Sequence, residues 1–189
     1  AIAAADKAGD NGYAQAVKGE ALIKSGELEQ AETSLAAAAS AEIPEWQKSE
    51  AVNAQGRLAQ ANGDIDKAVE QYAKAQSLDQ YNVEALSNEG AAYRERGGEN
   101  DLVLAKETLE KASAIRPDEM TSLMLQQVRT ELEEANDIKK GELIKSLITD
   151  LSKRYEELKA KGQAEPADDW TSRPVVLAFL PGETKGKIV

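Results

Sequence analysis

The chain has 189 residues, a net charge of −11, no cysteine and no histidine, and about a sixth of it is alanine. Those absences exclude a thiol nucleophile, a Ser-His-Asp relay, a disulfide and a zinc, copper or haem site built on the usual ligands. The acidity opposes general nucleic-acid binding, which needs a basic stripe, and no run of about 18 apolar residues is present to span a membrane.

The chain opens Ala1-Ile2-Ala3-Ala4-Ala5, with no initiator Met and no charged and apolar leader before it. This fits either a processed mature form or a fragment. The lack of cysteine suits an exported prokaryotic protein, extracellular or periplasmic, and leaves the cytoplasm open.

The strongest signal is an internal repeat. Gly19 and Gly26 are seven apart, as are Gly56 and Gly63, and Gly90 and Gly97. A ladder of small, large and small residues follows each second glycine: Ala31, Leu35, Ala38; Ala68, Tyr72, Ala75; Ala105, Leu109, Ala112. Spacings of four and three place each trio on one helical face. The pattern predicts helical hairpins. The first glycine permits a close helix crossing and the second ends the first helix in a left-handed cap. Asp64 or Asp66 is placed to start the next helix.

The stretch GRLAQANGDIDKAVEQYAKAQSLD resembles the tetratricopeptide repeat family, with units at about 12–48, 49–82 and 83–119. Pro117 stands where the family often ends a repeat. Gln15, Val52 and Leu86 replace the family's bulky residue early in the first helix. The resemblance implies an all-α, right-handed solenoid of helical hairpins. It makes residues 1–11 the second helix of an incomplete leading repeat.

Beyond Pro117 two further amphipathic helices are expected, about Glu119–Ala135 and Lys139–Lys161, as a capping hairpin over 120–161. From 162 the composition changes. An extended tail (162–189) contains the apolar, β-branched run 175–180 between Pro174 and Pro181, which reads as a strand. An apolar strand without a sheet mate needs a docking partner. Trp170, Val175, Val176, Leu177, Phe179 and Leu180 are therefore candidates for assembly onto a neighbouring subunit. The segment 168–180 also resembles the junction between such an array and an α/β domain in some bacterial envelope proteins.

The resemblance further implies that exposed positions of the first helices line a peptide-binding concave face. The candidates there are Tyr13, Glu20 and Lys24, then Asn53, Arg57 and Gln60, then Asn88, Ala91 and Arg94. Asn could clamp a peptide backbone and Arg could meet a carboxylate. The family's dicarboxylate clamp is missing, because Ala16 and Glu20 occupy the leading positions. No catalytic residue, cofactor site or metal site is expected; carboxylates such as Glu131, Glu133, Glu134, Asp168 and Asp169 read as solvated. The expected function is a non-catalytic scaffold for protein partners, first of all a second copy of the chain in a head-to-tail filament or ring. The alternative is a peptide-binding adaptor region of a larger envelope protein.

Overall fold

A computed structural model describes residues 11–162 together with Ile2. Residues 11–162 form helices α1 (Gly12–Ser25), α2 (Leu28–Ser40), α3 (Glu45–Ala61), α4 (Ile65–Leu78), α5 (Val83–Arg96), α6 (Asp101–Ile115) and α7 (Glu119–Ala160). The expected strand 175–180 and most of the leading half repeat lie outside the described residues. Ile2 is helical and packs on the cluster of Leu22, Ala31, Leu35, Ala54 and Leu58.

Up to Leu132 the chain forms one unit. In it α1–α2, α3–α4 and α5–α6 are hairpins, and each second helix also packs on the first helix of the next hairpin. First helices contact one another directly, α1 with α3 and α3 with α5. They form a continuous row.

The seven-spaced glycines explain the hairpins. Gly26, Gly63 and Gly97 have φ of 81°, 80° and 67°. This is the left-handed conformation that ends a helix cheaply only without a Cβ. After α1, the Glu27 N–H reaches back to the Leu22 carbonyl at 2.9 Å; after α3, Asp64 N–H reaches the Ala59 carbonyl at 2.9 Å. The other glycine of each pair lies at the crossing. A Cβ on Gly19 would stand 2.5 Å from Leu35 Cγ, and one on Gly90 would stand 2.6 Å from Leu109 Cγ. The ladder residues opposite, from Ala31 and Leu35 through Tyr72 to Leu109 and Ala112, are fully buried.

Polar side chains fix where the helices begin. Asn11 accepts from the Tyr13 N–H, and Asp64 from the Lys67 N–H, in the role expected of it. Asn82 accepts from the Ala85 N–H at 2.9 Å and donates to Ser49 Oγ at 2.8 Å. Ser49, fully buried, donates in turn to the Ala75 carbonyl at 2.8 Å. One hydrogen-bonded chain thus ties α3, α4 and α5 together. Each member is satisfied, so its burial carries no desolvation penalty left unmet.

The expected capping hairpin is corrected. The chain from Glu119 to Ala160 is one helix, with no break at Asn136-Asp137. Neither a Gly nor a Pro stands at that point, and Asn and Asp weaken a helix by less than 1 kcal/mol each, about a quarter of the effect of Pro. The first part of α7, to Leu132, acts as the next first helix of the row. Asp118 caps it by accepting from the Thr121 N–H at 2.9 Å. Leu125 and Val128 pack on Ala105 and Leu109. Thr121 hydrogen-bonds Ser87 at 3.0 Å, one repeat length earlier in the chain. Residues from Glu133 belong to a second unit, of which the described part is the remaining helix.

Candidate functional site

The row of first helices brings most of the candidate residues together. Arg57 on α3 lies between Glu20 on α1 and Glu84 on α5, and its guanidinium donates to both. Asn88 Nδ2 donates to Asn53 Oδ1 at 3.0 Å. Gln60 accepts from the Tyr72 hydroxyl at 2.9 Å and donates to Glu95. Arg94 on α5 forks onto Glu131 of α7, with Nη2 2.6 Å and Nε 3.0 Å from its carboxylate, and reaches Gln127 Oε1 at 3.2 Å.

These contacts change the roles the residues can take. Asn53, expected to be exposed, is buried and committed to Asn88. Arg57 and Arg94, expected to meet a partner's carboxylate, are already neutralised by glutamates of neighbouring repeats. The hydrogen bonds it donates to Glu131 hold Arg94 more firmly protonated than usual. Tyr13 is exposed and its ring lies 6.4 Å from that of Trp46. Lys24 is exposed near the end of α1.

The face is acidic around Arg57. Burial, and then the nearby charges of Glu20, Glu84 and Asp79, push the Glu50 carboxyl above the usual carboxylate range. A single arginine facing this group of acids leaves the potential negative.

Beside Arg94 the face opens into a cleft of about 490 Å³. Gly90, Leu109, Met124 and Val128 give it an apolar floor, and Gln60, Arg94, Glu95 and Glu131 give it a polar rim. Gly90 lacks a Cβ, which lets Leu109 pack directly against α5 beneath the cleft. Gln60, Ala91 and Arg94 were legible as candidates from the repeat register. Glu95, Met124 and Glu131 were not. Glu131 stands on a helix without repeat glycines, so nothing in the sequence aligned it with Arg94.

Among the described residues, no group of three or more acidic, His or Cys side chains is arranged to hold a metal ion, and no helix is long and apolar enough to cross a membrane. The tail candidates Trp170, Val175, Val176, Leu177, Phe179 and Leu180 lie outside those residues.

Comparison with known proteins agrees with the hairpin geometry. Residues 49–82 match the tetratricopeptide repeat family. The match covers α3 and α4, with Gly56 at the crossing and Gly63 at the cap. No curated protein matches the chain. Among solved structures, a monomeric mutant of IFIT1 with m7Gppp-AAAA (anti conformation of the cap) has a TM-score of 0.57 at 20% identity, over 74% of this chain and 33% of that one. A second monomeric mutant of IFIT1, with Gppp-AAAA, gives the same values. The chain therefore spans about a third of the length of these structures. At this identity the likeness is one of fold: an all-helical solenoid built from tetratricopeptide-like hairpins.

Proposed function

We propose that the chain is a non-catalytic protein-interaction scaffold, and that a partner segment seats in the cleft whose rim carries the paired Arg94 and Glu131. Tetratricopeptide repeats serve in general as scaffolds for protein partners, and the proposal locates the contact. The cleft itself carries the reading: an apolar floor beneath convergent polar groups, a few side chains wide. Its rim holds one arginine against Glu95 and Glu131, on a chain of charge −11. An apolar anchor residue with Lys or Arg beside it fits both floor and rim. Cross-repeat pairs keep the rim in place before binding, which lowers the ordering cost of association.

The test is selection of a displayed random peptide library on the full chain. Enriched sequences should carry an apolar residue flanked by Lys or Arg. Enrichment of acidic sequences, or none above a control protein, contradicts the reading.

A second reading is head-to-tail self-assembly through Trp170 and the run Val175–Leu180. Its support is in the sequence: an apolar, β-branched run in an acidic chain, where side-by-side contact is repulsive and axial contact is favoured. Sedimentation velocity on the full chain, and on one ending at Pro174, tests it. A species that stays monomeric at high concentration sinks it.

A further inference from the structure

The helical stretch 133–160 leaves large apolar side chains in solvent. Leu143, Leu147, Ile148 and Leu151 are between 44% and 61% exposed, and Leu158 is 38% exposed. Ile148, Leu151 and Leu158 fall on one line with the half-buried Ile144 and Tyr155, in the order Ile144, Ile148, Leu151, Tyr155, Leu158, at four, three, four and three residues; Leu147 edges that line and Leu143 lies off it. That is the a/d spacing of a coiled-coil seam, on a helix of several further turns.

The residues edging such a seam select its partner. On one edge stand Lys145, Ser152 and Lys159; on the other stand Leu147, Arg154 and Lys161. No carboxylate occupies either edge, although acidic residues outnumber basic ones 34 to 23 in the whole chain. Acids on this stretch are set further round the helix, as with Glu142, Asp150 and Glu156.

A second copy is a poor occupant. In a parallel pair Arg154 would face Lys159 of the second copy, and Lys140 would face Lys145. An antiparallel pair also sets cation against cation. An anionic membrane surface is a poor occupant too. Asp150 and Glu157 lie just outside Arg154, level with lipid headgroups if the seam were immersed. A helix touches only the seam and its edges, which carry Lys and Arg and no acid.

We propose that this face of α7 is a docking site for an amphipathic helix of another protein, whose own apolar seam is edged with Asp or Glu. Burial of the seam supplies the attraction, and the basic edges supply the choice of partner. The site is separate from the cleft and does not depend on it.

The experiment uses the full chain and two synthetic helical peptides of about four heptads. Both carry Ile and Leu on the seam; one has Glu at every edge position and the other Lys. Fluorescence anisotropy at low salt should show the Glu peptide binding at least about tenfold more tightly than the Lys peptide. Leu151→Asp should abolish this binding. The combined change Lys145→Glu, Arg154→Glu and Lys159→Glu, all at exposed positions, should reverse the preference while the far-UV circular dichroism is unchanged.

Equal affinity for the two peptides, or no binding of the Glu peptide, overturns the proposal. So does a chain dimer, or adsorption to anionic vesicles, that Leu151→Asp removes. Binding that appears only after deletion of the residues beyond 162 also overturns it, since the chain's own tail would then be the occupant.

Discussion

Gly56 on α3 lies against the ring of Tyr72 on α4, so closely that a Cβ there would stand 2.6 Å from Cδ1. The ring is fully buried, and its hydroxyl is held by Gln60, so it has nowhere to move. Gly56→Ala should therefore separate α3 from α4 and destabilise the repeat unit by about 2 kcal/mol, as overpacking does. Gly63→Ala acts differently. No atom lies within 4 Å of a Cβ at that site, and the cost is backbone strain at φ 80°, about 1 kcal/mol. Urea unfolding of the two variants should rank them in that order.

Asp101, buried at the start of α6, takes Arg96 Nε at 2.8 Å and Nη2 at 2.7 Å, and its carboxylate also accepts from the Gly98 N–H at 2.8 Å. The Arg96 hydrogen bonds hold its carboxyl below the usual aspartate range, and the Gly98 N–H adds to this. A depressed carboxylate stabilises the fold above its unfolded pKa, and that contribution is lost as pH falls through the folded value. Asp101→Asn should cost about 2 kcal/mol near pH 7. The difference from the unaltered chain should shrink below about pH 4, where the unfolded carboxyl takes up its proton. Thermal melts across that range check it.

Glu89 shows the opposite sign. It stands buried on α5, and burial pushes its carboxyl up despite hydrogen bonds from Gln76 of α4 and Tyr93 of α5. The folded state then binds the proton more tightly than the unfolded one, so stability falls as pH rises through the window between the two values. Glu89→Gln keeps an oxygen to accept from Gln76 and removes the charge. The variant should be more stable than the parent near pH 7, with the advantage fading toward about pH 4.

Gly141 lies in the interior of α7 with ordinary helical φ and no atom within 4 Å of an added Cβ. Gly141→Ala should raise the stability of the stretch from Glu133 by about 0.5 to 1 kcal/mol. Amide hydrogen exchange localised to residues 133–160 should slow, with residues 11–132 unaffected.

The hairpins were legible because their signals are local and repeated. Each glycine pair marks a crossing and a cap within eight residues, and each Ala ladder marks the face opposite. The unbroken α7 was not legible. Asn136-Asp137 interrupts the apolar stripe, but interrupting a stripe does not break a helix when the backbone can continue. The site was half legible. Gln60, Ala91 and Arg94 follow from register, but ion pairs between residues 27 and 37 apart, such as Arg57 with Glu84 and with Glu20, depend on how repeats stack. Those pairs turned a face read as offering free arginines into an acidic one. The buried state of Asn53 was hidden for the same reason, since its partner Asn88 is 35 residues away.

The most direct test of the scaffold account is the affinity of the best library-selected peptide for two variants of the full chain. Ala91→Arg fills the cleft from its wall, and Gln71→Ala changes a different groove, shared by α2, α3 and α4. The account predicts at least about a tenfold loss of affinity with Ala91→Arg and none with Gln71→Ala. Unchanged binding to Ala91→Arg, or a loss confined to Gln71→Ala, would contradict it.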